Sequence, residues 1–351
     1  MRHVHAPGGP CCACQPVAFG RRGLLAGAGA LALVRPGHAQ DSLRAIDVHH
    51  HISPPTWMAA VKRAGLDNPP MNDWTPQRSL EQMDAAGVAT SITSPTTPQA
   101  AFLPPADAAA VSREANEYAA RLRDDHPGRF GVFAMLPLPH IDESLAAITY
   151  AFDTLHADGI GTMTSYGNNW LGYEQFAPVL AELNRRRAVV YTHPTGAPCC
   201  VNLVQGIADS ALEYGTDTTR TITNLIFSGA SRRYPDISWI FSHGGGVLTA
   251  VAERLEIQMV GGPPYKGKVT REMVDGELRR FFYDTAQIAN AVTVEALVKL
   301  VPVSQVVFGS DYPYRTVVEH VRGLQARFGP ADLRAIARDN ALRLVPRLGV
   351  V

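Results

Sequence analysis

Four short stretches of this sequence end an apolar run on a side chain that can bind a metal. "AIDVHHH" closes on His49, His50 and His51, "VVYTHPTG" carries His193, "WIFSHGGG" carries His243, and "VVFGSDYPY" carries Asp311. In an extended strand, residues i and i+2 share a face, so His49 and His51 point together and His50 points away. His50 is therefore expected to pack or cap, not to ligate. Two imidazoles from one strand, a third from His193 and the carboxylate of Asp311 make an N3O donor set. That set suits one divalent ion: zinc first, with manganese as the alternative and iron or cobalt also possible. A further coordination position is left for water or a substrate, as a catalytic metal requires.

These residues can meet only if the strands that carry them end on a common rim. Strands are expected at Ala45–His49, Ala89–Thr93, Phe130–Met135, Gly159–Thr164, Ala188–Thr192, Ser238–Ser242, Phe281–Tyr283 and Gln305–Gly309. Amphipathic helical stretches lie between them. "SLEQMDAAG" reads as a helix with Ser79 as N-cap and Gly87 as terminator, and a longer helix ends at His126-Pro127-Gly128. "YEQFAPVLAELNRRR" and "VLTAVAERLEIQM" carry the same helical period. Eight strands alternating with helices specify an α/β fold, a (β/α)8 TIM-like barrel, whose active sites gather at the C-terminal ends of the strands. A doubly wound open sheet is the rival, but no glycine-rich phosphate loop follows the first strand. No repeat of a solenoid period is present. "DNPPMNDWTP" and "GGPPYKG" read as inserted loops.

Composition narrows the function further. The 351 residues are 46% hydrophobic, and Lys+Arg equals Asp+Glu at 32 each. No basic block favours nucleic acid or an anionic membrane. Residues 1–39 read as a signal peptide of twin-arginine type. They hold Arg21-Arg22, an apolar run from Gly23 to Val34, and a small-residue cleavage site at Gly37-His38-Ala39. Residues 40–351 would then form the catalytic barrel, exported to the periplasm or secreted, without a membrane anchor. A mis-assigned start would leave the protein cytoplasmic. Cys11, Cys12 and Cys14 would leave with the signal. Cys199 and Cys200 are adjacent and so cannot staple the fold, though a thiolate there could approach the ion.

"DVHHH", "THP", "SHGGG" and "FGSDYP", in this order, resemble the amidohydrolase-related metal enzymes. The pattern is most similar to the aminocarboxymuconate-semialdehyde decarboxylase-like branch, and within it to the hydroxybenzoate and 6-methylsalicylate type. The likeness runs from about Ala45 to Asn340 and takes in "EQMDAAGV", "HPGRFGVFAMLPL", "ELNRR", "DTTRTITNLIFSGASRRYPD" and "FFYDTA". It implies His49, His51, His193 and Asp311 as metal ligands and His243 as a catalytic histidine that does not ligate. It implies that Arg254 grips a substrate carboxylate in the neighbouring subunit, hence a homodimer. A second substrate arginine of the muconate-semialdehyde enzymes, after strand one, has no counterpart here. Binuclear relatives carry a lysine at the end of strand four; this chain reads "GIGTMTSYGNNW" there, which favours one metal.

The chemistry so implied is loss of CO2 from an aromatic or enoic carboxylic acid, possibly a hydroxybenzoate. A cation holds and polarises the acid. Asp311 or His243 moves a proton to the carbon that loses the carboxylate. Tyr166 and Asn168 are expected to contact ring substituents, and Asp217 with Arg220 to form a buried structural pair. The alternative is a metal-dependent hydrolase of a lactone or amide, since the same donor set can activate water. A metal-binding protein without turnover is the third reading.

Overall fold

The computed structural model describes residues 43–349. The expected signal segment, its boundary and its three cysteines lie outside the described residues. Among the described residues, no helix is long and apolar enough to cross a membrane. The strands form where β-branched and aromatic residues run with almost no exposed position. They are β1 (Ala45–His51), β2 (Val88–Ser94), β3 (Phe130–Met135), β4 (Gly159–Met163), β5 (Val189–His193), β6 (Ser238–Phe241), β7 (Phe282–Asp284) and β8 (Val306–Val307). All pair in parallel and in chain order. The ring closes where β1 meets the chain at and beyond β8. Val48 N–H donates to Phe308 O (2.9 Å), Asp311 N–H to His49 O (2.9 Å) and His51 N–H to Tyr312 O (2.7 Å).

Both faces of this sheet are covered, as parallel strands require. The inner face packs Ile46, Val48, Ile92, Phe133, Tyr191 and Ile240 into a core sealed from below by Val345 and Leu348. The outer face packs against the helices. The cluster of His49, His51, His193 and Asp311 lies at the other end, the mouth.

Simple alternation does not carry through β1. Ile46 and Val48 fill the inner core, yet His49 and His51 also face the axis above them. A register shift between Asp47 and His50 places two residues of β1 opposite one of β2. This bulge moves the inward set from even to odd positions, which is how a bulge re-aims side chains beside a site. His50 turns outward and is buried, with Nε2 bonded to Ser79 Oγ (2.9 Å) and Nδ1 beside Asp47 Oδ2 (3.2 Å).

The expected N-cap at Ser79 is corrected. That helix spans Pro76–Ala86, and Thr75 caps it by accepting from Arg78 N–H at 3.2 Å. Proline fits the first helical position because its φ is already helical and its missing N–H is not needed there. Ser79 serves instead as the buried partner of His50 and of Trp74 Nε1–H. "DNPPMNDWTP" contains a short helix, Pro69–Asp73.

Asp47 holds the seam of the barrel. Its buried carboxylate accepts from Ser310 N–H (3.0 Å), Ser310 O–H (2.6 Å) and His49 N–H (3.0 Å). Asp47→Ala leaves three buried donors unmatched and should cost about 3 kcal/mol or more. Urea unfolding checks this, and an unchanged midpoint would show that the seam does not need the carboxylate.

Candidate active site

His49 and His51 from β1, His193 from the end of β5, and Asp311 from the loop after β8 converge at the barrel mouth. All four are buried, and one donor atom from each lies within 4.8 Å of all the others. The outer ring nitrogens decide what the inner ones can do. His49 Nδ1–H donates to Asp284 Oδ2 (2.7 Å), His51 Nδ1–H to Ser94 O (3.2 Å) and His193 Nδ1–H to Pro194 O (2.8 Å). With Nδ1 protonated, each neutral ring turns an Nε2 lone pair inward. The Nε2 atoms of His49 and His51 stand 3.0 Å apart, and Asp311 Oδ1 lies 3.1 and 3.2 Å from them. Lone pairs that close repel unless a positive charge sits among them. Asp311 Oδ1 has no hydrogen-bond partner of its own. The donors therefore fit one divalent cation.

Without a cation, one proton must do that work. Burial alone would lower His49, but the carboxylates of Asp284 and Asp311 outweigh it and raise its pKa to about 10. Burial pushes His51 down, and pushes His193 well below the ordinary histidine value, helped there by the neighbouring imidazoles. Burial works against the Asp311 carboxylate, yet His49, His243 and His51 hold its pKa well below the usual range. The set thus presents two neutral imidazoles, one carboxylate and one exchangeable proton.

His243 stands beside this set. Its ring stacks over His49, with centroids 5.2 Å apart. Its Nε2 lies 3.5 Å from Asp311 Oδ2 and has no hydrogen-bond partner. Backbone strain places it there: His243 has φ 53° and Asp311 φ 60°. Gly244, Gly245 and Gly246 continue the left-handed run after β6. At Gly246 a Cβ would fall 1.9 Å from Gly215 O, so only glycine lets the chain pass. Asp284 Oδ1 accepts His243 N–H at 2.8 Å, so one carboxylate orients both His49 and His243.

Above these groups opens a cavity of about 370 Å³, walled by Asn68, Thr97, Tyr214, Tyr314 and Arg315, with Gln287 at its edge. That volume suits a benzoic-acid-sized molecule. Burial raises the phenols of Tyr214 and Tyr314 to about 12, so both remain donors.

Several expected contacts lie elsewhere. Tyr166 is turned into the core and accepts Met163 N–H at 3.0 Å, because burying its ring against Phe176 leaves the hydroxyl only backbone to meet. Asn168 is exposed and accepts Cys199 N–H at 2.9 Å. Arg254 is exposed along a different groove of about 710 Å³ and does not line the cavity of its own chain. Asp217 is buried, but Thr164, Ser165 and Trp170 satisfy it; Arg220 stays partly exposed, 3.9 Å away. Cys199 and Cys200 are bonded to each other and offer no thiolate to the site. Asp284, Gln287, Tyr214 and Tyr314 were not expected. Asp284 could have been found, since it ends a strand in "FFYDTA" as the ligands end theirs.

A barrel with this donor set at its mouth defines a metal-dependent enzyme of the amidohydrolase kind. The chain belongs to the amidohydrolase family, whose profile matches residues 46–347. It is 39% identical over 326 residues to the decarboxylase yanB of Aspergillus niger, covering 86% of this chain and 87% of that one. It is 36% identical over 317 residues to the 6-methylsalicylic acid decarboxylase of Penicillium expansum, covering 86% and 96%. Among solved structures, dihydroxybenzoic acid decarboxylase from Polaromonas sp. JS666, with manganese and 2-nitroresorcinol bound, shares the fold. It has a TM-score of 0.77 and 18% identity, over 86% of this chain and 96% of that one.

The proton on His49 gives the site a measurable signature. Below about pH 10 that proton must leave before its Nε2 can bind a cation. Metal affinity should therefore rise with pH, about tenfold per unit through neutrality, with about one proton released per ion bound. Calorimetry of chelator-stripped protein at pH 8, in two buffers of different ionisation enthalpy, counts the protons. No release would mean His49 is neutral beforehand.

Proposed function

We propose that this chain is a decarboxylase of a hydroxybenzoic acid of the 6-methylsalicylate type. It would use one divalent ion held by His49, His51, His193 and Asp311. The observation that carries the reading is the convergence of three inward imidazole nitrogens and the Asp311 carboxylate on the floor of a cavity sized for one aromatic ring. Relatives at 39% and 36% identity over most of the chain are decarboxylases, which favours this reading over hydrolysis. Zinc is the ion we favour from the N3O set; manganese is the alternative, and elemental analysis decides between them.

When bound, the ion would fix the substrate carboxylate and withdraw charge from it. The rest falls to the chain. Asp311 Oδ2 or His243 Nε2, which stand 3.5 Å apart, delivers a proton to the ring carbon that bears the carboxylate. The bond to the carboxyl carbon then breaks, its electron pair returns to the ring, and CO2 leaves. The phenol of the product was the phenol of the substrate, so no oxidant or reductant takes part. Tyr214 and Tyr314 donate to the oxygens of the acid, and the buried floor keeps bulk water away.

The same proposal includes a homodimer in which Arg254 reaches the partner's cavity. It makes residues 40–351 the catalytic unit, delivered across the membrane by a twin-arginine signal in residues 1–39. Sedimentation showing a monomer under turnover conditions removes the first part. A reporter fused to residues 1–45 that stays in the cytoplasm removes the second.

Metal-loaded protein given 6-methylsalicylate, salicylate and 2,6-dihydroxybenzoate should release CO2 from at least one of them, and should leave lactones intact. Asp311→Asn should lose both metal and turnover. His243→Ala should keep the metal and lose turnover about 10²–10⁴-fold. Hydrolysis of a lactone without CO2 would reverse the assignment, and an empty metal site in His243→Ala would make that residue a ligand.

A further inference from the structure

Eight non-glycine residues among those described hold a positive φ, and three of them, His243, Gln287 and Asp311, line the one cavity above the imidazoles. Such a conformation is strained for a residue with a side chain and persists only where surrounding structure enforces it. Two of the three already have a place in the site. Gln287, at φ 59°, does not.

Its surroundings show what holds it and what it holds. Gln287 N–H donates to Nε2 of His320 at 2.8 Å. His320 is buried on the helix Val317–Gln325, and its Nδ1–H donates to Thr316 O at 3.0 Å, which leaves Nε2 as the acceptor. The carboxamide Nε2 of Gln287 donates to Asp311 Oδ2. A buried ring thus fixes a strained backbone, and the backbone aims an amide at one oxygen of Asp311. The other oxygen, Oδ1, is the one that faces the imidazoles of His49 and His51. Were the turn the only requirement, glycine would meet it without steric cost. The glutamine adds a side chain that reaches Asp311, which glycine would not supply.

We propose that Gln287 is a positioning residue for Asp311. Its amide N–H engages Oδ2, so that Oδ1 is presented to the three imidazoles while Oδ2 stays on the cavity side next to His243. His320 is its anchor. The inference goes beyond the decarboxylase reading and needs only that the His49, His51, His193 and Asp311 set binds a divalent ion.

Gln287→Gly separates this role from a merely structural one. The variant relieves the backbone strain, so its thermal midpoint should stay level or rise. Its affinity for Zn²⁺ should fall about 10–100-fold, the usual effect of losing a partner behind a metal ligand. The visible bands of its Co²⁺ form should shift, because the carboxylate is free to turn. Gln287→Glu, which keeps the shape but sets an acceptor against Oδ2, should lose affinity at least as far. Adding His320→Asn to Gln287→Gly should cost no further affinity. Zinc affinity within about twofold of the parent and an unmoved cobalt spectrum in Gln287→Gly would overturn the proposal. An additive loss in the double variant would remove His320 from it. Absence of CO2 from every acid tried would end the decarboxylase reading and leave these metal readouts to judge Gln287 alone.

Discussion

Three imidazole nitrogens and a carboxylate are held within 4.8 Å of each other, and the rest of the site is organised to keep these donors turned inward. No single contact does it. The outer nitrogen of each ring is tied to a fixed acceptor: a carboxylate for His49, a strand carbonyl for His51, and the next residue's carbonyl for His193. Each tie sets the tautomer as well as the orientation, so the inward nitrogens cannot swap a proton to the other side. The donors fit a divalent ion. The inner nitrogens of His49 and His51 stand 3.0 Å apart, close enough to share one.

The barrel is what makes such an arrangement affordable. Its strands are buried on both faces and close on themselves, so their ends are rigid supports, not loops that could splay apart. Strain is then concentrated just past those ends, at His243, Asp311 and Gln287, where the chain must turn sharply and still present a side chain to the axis. Asp284 and Asp47 bind these turns back to the frame. Asp284 holds His49 and the His243 backbone; Asp47 holds β1 and Ser310, next to Asp311. Each is a buried carboxylate whose loss would loosen two turns together.

How far the sequence revealed this follows from which interactions are local. A strand that ends in His or Asp before a Gly or Pro turn is a local pattern, and eight alternations set the topology, so His49, His51, His193, His243 and Asp311 were legible. The bulge in β1 was not, because it depends on pairing with β2 and with the closing chain; the same-face argument for His49 and His51 holds only above it. Ser79 looked like a cap because its partners, His50 and Trp74, are contributed by the fold. Tyr166 and Asn168 sat close to a strand end and were misplaced for the same reason: a two-stranded ribbon, Ser165–Tyr166 with Asn169–Trp170, turns them away from the axis.

The division between floor and wall explains why reaction class could be read more readily than substrate. The floor comes from strand ends, whose direction the barrel dictates. The wall comes from Asn68 in the long connection after β1, Tyr214 in the helix after β5, and Tyr314 beyond β8. Nothing local forces those residues over the metal site; only the packing of their own helices and loops does. Asn68 Nδ2–H donates to the Tyr314 hydroxyl at 3.3 Å, so the wall is tied across the mouth by polar contacts between segments 246 residues apart. A different loop on either side would change which ring fits without moving a single metal donor. The chemistry belongs to the frame, and the choice of acid belongs to the segments that the frame leaves free.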